Sequence, residues 1–549
     1  MINISVNICW IINKMKKINV LFIMVSLFLI SACKTIKQPS EIAKPIDYSD
    51  SEIASIEKNK IRDFQKDKPL YALYRSYFLD DPELKEECKK IVIEKTQNAL
   101  EQKNYIEANK YYKSLQVFGY RNAQFEKTIN DFLNKDVPGF TSDKSKLPKT
   151  IQDCINASVT VWVDKGMKVE NGSGKMDVVI GSGFFIDRRG YVITNHHVIE
   201  ASVNPKYEGY CRVYIKLLSD TETKIPAKVI GYDPLLDLAL LKVEIEPEFV
   251  FSLGSSDDLN IGDKISAIGA PIGLEGTVTS GIVSAVDRNI TTILSAFQID
   301  AAVNSGNSGG PLIDQNFRVQ AIVFAGMIQF QGLNFAIPVE YLKQILPYLY
   351  KGDKVSHSWI GAYGHTFKDK NKASGVELYY VMPGSVAQFS KLNKDFIIKE
   401  IDGKKVNSLK DFHLLMMNYD VSTILPCRYI DGNGDLKQTV IYFEKRPKYP
   451  VKSFFESDFI ADSFIPIFGM KLQNSSTAFK NSYTIVDVIR GSIADKMNLS
   501  EMDPVTVQKV QFDYNQEGFF AQIYVKRKTK GYIDCSIVIA APLDGFNYF

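Results

Sequence analysis

Residues 303–312 constrain the fold of this chain more than any other stretch of its sequence. The stretch is VNSGNSGGPL, in which glycines lie on both sides of Ser308. Glycine allows the backbone to make a tight turn, and the N–H groups of such a turn can point at a developing oxyanion. The pattern therefore predicts that Ser308 is a nucleophile held on a turn. A flexible surface loop is the alternative, because short glycine-rich strings are common in turns.

A nucleophilic serine needs a general base, and the chain contains only five histidines. Two of them, His196 and His197, follow the β-branched run YVIT, which predicts a strand that ends in a loop at these residues. Asp237 stands directly before the apolar run 238–243, where an unpaired acid would be costly. The order His, Asp, Ser is one of the chain orders known for hydroxyl nucleophiles, and it occurs on two packed β-barrels.

Six blocks of sequence carry a resemblance to a known family. The blocks are GSGFFID at 181–187, YVITNHHVI at 191–199, YDPLLDLALLKV at 232–243, AIGAPIGLEGTVTSGIVSAV at 267–286, QIDAAVNSGNSGGPL at 298–312 and LNFAIPV at 333–339. With them, residues 151–350 resemble the protease domain of the HtrA/Deg family of serine endopeptidases. The family motif TN-x-H-V places the catalytic histidine at His197. His196 falls on the variable position, and we expect it to pack or to face solvent.

The resemblance implies a role for each residue of a catalytic triad. Ser308 attacks the peptide carbonyl, His197 takes its proton and returns it to the leaving amine, and Asp237 fixes the imidazole tautomer. The N–H groups of Gly306 and Ser308 are predicted to form the oxyanion hole. Losing one such donor costs about 3 kcal/mol of transition-state stabilisation.

The family also implies a preference for unfolded segments with small aliphatic residues before the cut. The predicted pocket lies between residues 303–307 and 325–335, and its candidate residues are Asn304, Phe330, Leu333 and Phe335. Asn307 stands where digestive-type proteases carry an aspartate that pairs with a newly cut N-terminal amine. An amide cannot make that ion pair. We therefore expect activity to depend on the ordering of the loops around Ser308 and not on activating cleavage.

The first residues resemble a bacterial lipoprotein signal. Two lysines and an apolar run at 18–30 precede the small residues before Cys33. This run is shorter than the roughly 20 residues that a membrane-spanning helix needs. We predict a signal peptide at residues 1–32, lipidation of Cys33, and a polar tether at 33–50.

Residues 51–136 are predicted to form an α-helical domain. Asp81 followed by a proline is typical of a helix N-terminus, and Gly119 is typical of a helix C-terminus. The helix pair within this domain resembles a tetratricopeptide unit, with an unclassified helical spacer as the alternative. Prolines and polar residues at 137–150 predict a linker.

The region 151–350 contains many short β-rich runs and one helical run at its end. This spacing fits a pair of all-β barrels better than alternating strands and helices. The predicted fold class is therefore multidomain: an all-β double-barrel, chymotrypsin-like protease with an N-terminal α-helical, tetratricopeptide-like domain and one or two C-terminal PDZ-like α+β domains.

The first of those C-terminal domains, residues 354–446, resembles a PDZ domain. The blocks WIGA at 359–362, VMPGSVA at 381–387 and FIIKEIDGKKV at 396–406 carry the resemblance. PDZ domains bind extended peptides by adding a strand to the edge of a sheet. A loop with free N–H groups could therefore capture a peptide C-terminus or an unfolded segment, and its residues are Trp359, Ile360, Gly361 and Ala362.

The last region, 455–549, is either a degenerate PDZ-like domain or an unrelated small β domain. IRGSIADKMNL at 489–499 resembles the PGS-x-A element, but the glycine-containing string that should follow is missing. We expect the terminal aromatics Phe546, Tyr548 and Phe549 to belong to a core or to a frayed end, and not to act as a ligand.

The composition excludes some partners. Lysine and arginine total 66 against 63 acids, so bulk charge gives no support for nucleic-acid binding. The five cysteines after Cys33 lack metal-like spacing and are predicted to be buried thiols and not a disulfide framework, although a bridge between Cys154 and Cys211 stays open. No cofactor and no metal are predicted.

Together these patterns predict a lipid-anchored serine endopeptidase of the bacterial cell envelope. It would face the periplasm or the exterior and degrade unfolded or misfolded proteins. A non-proteolytic chaperone or PDZ scaffold is the alternative from another class, and a processing protease with one dedicated substrate is a second. Family members commonly assemble as trimers, so a homotrimer or higher oligomer is also open.

Overall fold

The computed structural model describes residues 50–133, 146–170, 173–270, 276–289, 293, 295–304, 306–326, 333–475, 481–527 and 533–549. The predicted signal peptide, Cys33 and most of the predicted tether and linker lie outside these residues. Within the described ranges, no helix is long and apolar enough to cross a membrane.

Residues 50–133 form five helices, which confirms the predicted helical region. They are α1 (Asp50–Asp67), α2 (Pro69–Tyr77), α3 (Pro82–Glu101), α4 (Tyr105–Val117) and α5 (Ala123–Leu133). Asp81 caps α3 as expected, because its Oδ1 accepts the Leu84 N–H at 3.0 Å. Gly119 follows α4 with a φ of 78°, a conformation that glycine adopts without strain. The tetratricopeptide-like character of this region is not confirmed.

The helical region shares a hydrophobic core with the domain that begins near residue 354. Buried residues of α2 and α3 cluster with those of the sheet and helices of that domain. The fully buried Tyr74 hydroxyl donates to the Val386 carbonyl at 2.8 Å and lies 2.7 Å from the Ser390 hydroxyl. The helical region is therefore packed on its distant neighbour in sequence and is not a separate spacer.

Two closed six-stranded barrels form the middle of the chain, which confirms the predicted double-barrel fold. The first barrel contains β1 (Ser158–Glu170), β2 (Ser173–Asp187), β3 (Tyr191–Thr194), β4 (Arg212–Leu217), β5 (Asp220–Asp233) and β6 (Leu238–Val243). The second contains β7 (Lys264–Gly269), β8 (Thr277–Asn289), β9 (Ser295–Ile299), β10 (Pro311–Ile313), β11 (Val319–Gly326) and β12 (Asn334–Pro338). The barrel helices are α6 (Ile151–Asn156), α7 (His196–Val203) and α8 (Val339–Lys351).

One local prediction in the barrels is wrong. The residues after YVIT do not form a loop, because α7 begins at His196 and only Asn195 separates it from β3. The cysteine prediction is correct in part. All five described cysteines are free thiols, including Cys154 and Cys211, but Cys535 is exposed.

Two domains follow the barrels. β13 (Asp353–Lys354) pairs with β5 at the edge of the first barrel. The first of the two domains contains β14 (Ser358–Trp359), β15 (Ala362–Asp369), β16 (Lys372–Val381), α9 (Val386–Phe389), β17 (Ile397–Ile401), β18 (Lys404–Lys405), α10 (Leu409–Met417), β19 (Ile424–Ile430), β20 (Leu436–Tyr442) and β21 (Glu444–Lys445). The second contains α11 (Pro450–Ser457), α12 (Ile460–Phe468), β22 (Met470–Asn474), β23 (Ser482–Val488), α13 (Ile493–Lys496), β24 (Pro504–Asp513), β25 (Gly518–Arg527) and β26 (Ile533–Pro542).

The two domains repeat one set of contacts. In each, a glycine with positive φ, Gly361 or Gly469, packs its α-carbon against the serine that caps the next short helix, Ser385 or Ser492. A Cβ added to Gly361 would lie 2.4 Å from the Ser385 Cβ, and one added to Gly469 would lie 2.1 Å from the Ser492 Cβ. No residue other than glycine fits at either position. One difference lies between the later strands of the two sheets. The first carries α10 beside its sheet, whereas β24 and β25 of the second are joined by the turn 514–517.

Candidate active site

His197 and Asp237 are brought together at the surface of the first barrel. His197 lies in the first turn of α7, and Asp237 directly precedes β6. Asp237 Oδ2 lies 2.7 Å from His197 Nδ1, and Asp237 Oδ1 accepts the backbone N–H of His197 at 2.8 Å. The acid before the apolar strand therefore has partners for both of its oxygens, as its position in the sequence required.

Asp237 reaches this position through an unusual backbone conformation. Its φ is 55°, in the left-handed region that aspartate and asparagine tolerate better than other side chains. Its carbonyl accepts the side-chain N–H of Asn195 at 2.8 Å and the backbone N–H of His196 at 3.2 Å. Hydrogen bonds from three successive residues at the start of α7, Asn195, His196 and His197, thus hold the Asp237 turn in place.

Ser308 lies on a turn that the second barrel and the first barrel hold between them. Its carbonyl accepts the Ser182 N–H at 2.7 Å, and the next residue, Gly309, donates to the Val323 carbonyl at 2.7 Å. A Cβ on Gly309 would lie 2.3 Å from the Ser182 carbonyl, and its φ is 87°. The glycine after Ser308 is therefore required by close packing as well as by backbone conformation.

The Ser308 hydroxyl donates to the Phe324 carbonyl at 3.3 Å. Among the hydrogen bonds of the described residues, none joins this hydroxyl to the His197 ring. The structure therefore shows the His197–Asp237 pair formed and the serine bonded to backbone. Catalytic hydrogen bonds are often long or misaligned before substrate binds.

Ser182 is a residue of this site that sequence reasoning missed. Its hydroxyl donates to the Gly306 carbonyl at 2.6 Å and accepts the Ala270 N–H at 3.1 Å. Gly306 has a φ of 106°, so its peptide orientation depends on the absence of a side chain and on this bond. Ser182 lies in the block GSGFFID, whose family match was the only sequence signal for it.

Asn307 is buried, with a side-chain amide that contacts the Ala302 carbonyl at a long 3.5 Å. Its Oδ1 has no hydrogen-bond partner among the described residues. The amide therefore fills a space between the Ser308 turn and β7, where a Cβ on Gly269 would lie 2.6 Å from Asn307 Oδ1.

His196 packs as expected. Its ring stacks on Tyr232, with centroids 5.4 Å apart and planes 17° apart. Burial lowers the pKa of His196, with the negative charge of Asp237 acting in the opposite direction. The imidazole of His196, stacked on Tyr232, is therefore a structural element of the site.

The predicted pocket residues are placed in different environments. Asn304 is exposed, and its carbonyl accepts the Asn307 N–H at 3.1 Å. Leu333 is half-buried just before β12, and Phe335 is buried on β12 beside Gln298. Phe330 lies outside the described residues.

The four residues of the predicted peptide-binding loop, Trp359, Ile360, Gly361 and Ala362, are all buried. The expected free N–H of Ala362 is occupied, because it donates to the Phe549 carbonyl at 2.8 Å. No group of three or more His, Cys, Asp or Glu residues in the described part of the chain could hold a metal ion.

Three family models match this chain. A trypsin-like peptidase domain matches residues 181–322, which contain His197, Asp237 and Ser308. A TP0546 family PDZ domain matches residues 451–543, the region that the sequence left open between a PDZ-like and an unrelated domain. A domain of unknown function (DUF8517) matches the helical residues 52–132. The domain at 354–446 repeats one glycine–serine contact of the matched PDZ domain, Gly361 on Ser385 against Gly469 on Ser492.

Several known proteins are similar to this chain. A probable periplasmic DegP-like serine endoprotease of Bartonella henselae is 35% identical over 298 residues, covering 52% of this chain and 56% of that protein. A DegP-like protein of Marinomonas sp. is 29% identical over 343 residues, covering 60% and 70%. The solved HtrA-type protease AlgW with a decapeptide has a TM-score of 0.44 at 23% identity, covering 54% of this chain and 99% of that one.

The chain spans about half the length of most of the curated relatives it matches. It covers 56% of the Bartonella henselae protein and 48% of a DegP-like protein of Chlamydia trachomatis. The predicted resemblance to the HtrA/Deg family is confirmed: a trypsin-like peptidase domain is joined to a PDZ domain, and the homologues are named serine endoproteases.

Proposed function

We infer that this chain is a serine endopeptidase of the cell envelope that hydrolyses unfolded or misfolded proteins. It has a trypsin-like peptidase domain and a C-terminal PDZ domain, and its homologues are named serine endoproteases. The observation that carries the proposal is the pair of hydrogen bonds from His197 to Asp237. A carboxylate that binds both the ring and the backbone of one histidine fixes its orientation and its tautomer.

His197 is the proposed general base. Because Asp237 Oδ2 accepts the proton on Nδ1, the lone pair of the imidazole is left on Nε2. Nε2 takes the Ser308 proton as the serine oxygen attacks the peptide carbonyl, and the negative Asp237 stabilises the imidazolium that forms.

Ser308 is the proposed nucleophile. Its hydroxyl now donates to the Phe324 carbonyl, and a rotation about the single Cα–Cβ bond would release it from that acceptor. The Ser308 oxygen forms a bond to the carbonyl carbon, the C–N bond breaks, and His197 gives its proton to the leaving amine. Water then attacks the acyl-enzyme, again with His197 as base, and frees Ser308.

The N–H groups of Gly306 and Ser308 are the proposed oxyanion donors. Ser182 supports this role, because its hydrogen bond to the Gly306 carbonyl holds the peptide plane that orients the neighbouring N–H groups. Asn304, Leu333 and Phe335, together with Phe330, remain the proposed walls of the substrate pocket.

The proposed context is the cell envelope. Homologues are named periplasmic, and lipidation of Cys33 would tether the chain to a membrane. The domain at 354–446 is proposed to bind peptide C-termini or extended segments. A quality-control role and a homotrimer or higher oligomer complete the proposal.

The test is the digestion of a reduced, alkylated and therefore unfolded model protein by the purified chain without residues 1–33. Wild type should cleave it, and Ser308→Ala and His197→Ala should not. Ser280→Ala, on the exposed face of the second barrel, is the matched control and should cleave like wild type. Suppression of aggregation without any cleavage by wild type would instead support the chaperone alternative.

A further inference from the structure

Residues 547–549 pair through their backbone with the edge of the first C-terminal domain. β15 is the outer strand of its six-stranded sheet. The Phe549 N–H donates to the Ala362 carbonyl at 3.0 Å, and the Ala362 N–H donates to the Phe549 carbonyl at 2.8 Å. Gly364 donates to the Asn547 carbonyl at 3.1 Å, and Tyr363 pairs with Tyr548 in the antiparallel sense. Strand addition of this kind is how an extended peptide binds a sheet edge.

The side chain of Phe549 fills the groove between β15 and α10. It is fully buried, and its ring centroid lies 4.7 Å from that of Phe412 on α10. A Cβ added to Gly364 would lie 3.0 Å from Phe549 Cζ and 2.3 Å from the Glu377 carbonyl oxygen. The ring and the neighbouring strand therefore both leave no room for a side chain at this position. The groove is thus shaped for an aromatic side chain.

Polar contacts fix the residues just before Phe549. His413 on α10 donates from Nε2 to the Phe546 carbonyl at 2.7 Å. The Asn547 side-chain amide donates to the Gly364 carbonyl at 2.8 Å and lies 3.2 Å from His365 Nδ1. Burial lowers the pKa of His413 to about 3, so this donor stays neutral. The groove therefore recognises both the backbone and an amide side chain of its occupant.

Tyr548 faces the opposite direction, as alternation along a strand requires. Its ring centroid lies 5.3 Å from that of Phe454, and its hydroxyl donates to the Pro466 carbonyl at 3.1 Å. Arg446 donates to the Tyr548 carbonyl at 2.8 Å and pairs with Asp544. The segment is thus anchored on the second domain while its end occupies the groove of the first.

We propose that residues 546–549 are an intramolecular ligand of the groove between β15 and α10, and that an extended protein segment with an aromatic residue at the position of Phe549 binds there only by displacing them. The inference rests on the proposed peptide-binding role of residues 354–446. A tethered ligand competes at an effective concentration of about a millimolar. Free peptide should therefore bind the intact chain much more weakly than a chain without the segment.

The binding test uses the chain with Ser308→Ala, so that peptide cleavage and protease function do not affect the result. The probe is a fluorescein-labelled peptide of residues 541–549, APLDGFNYF, measured by fluorescence anisotropy. Removal of residues 546–549 should tighten binding at least tenfold, and Phe549→Ala should tighten it in the same direction. Phe459→Ala, an exposed aromatic away from the groove, should leave it unchanged. A probe with alanine in place of its last phenylalanine should bind no variant.

Hydrogen exchange on the otherwise intact Ser308→Ala chain covers the case in which the shortened variant is unstable. Excess peptide, distinguished by the mass of its label, should speed amide exchange at residues 543–549 while residues 359–368 stay protected. The proposal is overturned if the shortened, folded chain binds no peptide, because the segment is then a permanent strand. Peptide binding that leaves exchange at 543–549 unchanged also overturns it, because the peptide then occupies another site.

Discussion

The substitution Asp237→Asn tests the geometry of the proposed base most sharply. Both oxygens of the aspartate accept hydrogen bonds from His197, one from Nδ1 and one from the backbone N–H. An asparagine has only one acceptor oxygen and places an N–H₂ group at the other position. If that oxygen faces the backbone, the N–H₂ group donates to Nδ1 and the imidazole proton moves to Nε2. The histidine then has no lone pair for Ser308.

The expected loss follows from this change of tautomer. We expect kcat to fall by about 10⁴-fold, the effect of the same change in a Ser-His-Asp protease, which is about 5 kcal/mol of transition-state stabilisation. The alternative rotamer keeps the tautomer but leaves the His197 backbone N–H opposite a donor, at a cost of about 1–3 kcal/mol. The backbone should not change, because asparagine tolerates the φ of 55° found at Asp237.

The assay is initial-rate cleavage of an unfolded model protein, with thermal unfolding measured beside it. Asp257→Asn, an exposed acid in the same domain, is the matched control and should keep wild-type activity. An Asp237→Asn variant with an unchanged melting temperature and more than a tenth of wild-type kcat would refute the reasoning. It would mean that Asp237 does not set the tautomer of the catalytic base.

Three further predictions follow from other contacts. Ser182→Ala should lower kcat about 10- to 100-fold with little change in KM, because the Gly306 carbonyl loses its buried donor; an equal rise in KM would contradict this. His196→Phe should keep most of the activity in the same assay, because His196 stacks on Tyr232 and is not the base. Burial holds the pKa of His413 far below the value of about 6.5 that it has in the unfolded chain. Below pH 6.5 the unfolded chain therefore binds a proton at this residue that the folded chain does not bind, so acid favours unfolding. Between pH 7 and pH 5 wild type should lose about 2 kcal/mol of stability more than His413→Gln, measured by urea unfolding.

Local patterns predicted much of this fold because they act over short distances. Asp81 before a proline specified the start of α3, and the alternation of short apolar runs with turns specified the barrels. The order of His197, Asp237 and Ser308, with the family blocks around them, located the candidate site. The helix α7 was missed, although Asn195, a residue type typical of helix N-termini, separates it from the apolar run YVIT.

Long-range contacts could not be predicted in the same way. Tyr74 and Ser390 are 316 residues apart, and neither has a sequence neighbour that reveals the contact. Phe549 was expected to be a core residue, and it is buried, but its role as a strand on β15 follows only from the backbone pairing with Ala362. Ser182 was hidden because a serine between glycines has many uses, and only its bond to Gly306 distinguishes it.

The most direct test of the central claim is active-site labelling with a fluorophosphonate, which phosphonylates a serine only when its hydroxyl is activated. Tandem mass spectrometry of the labelled, digested protein identifies the modified residue. We predict a single label on Ser308 in wild type and little or none in His197→Ala and Asp237→Asn chains that remain folded. Labelling of Ser308 that is independent of His197, or a folded wild type that is never labelled at Ser308, would contradict the proposed mechanism.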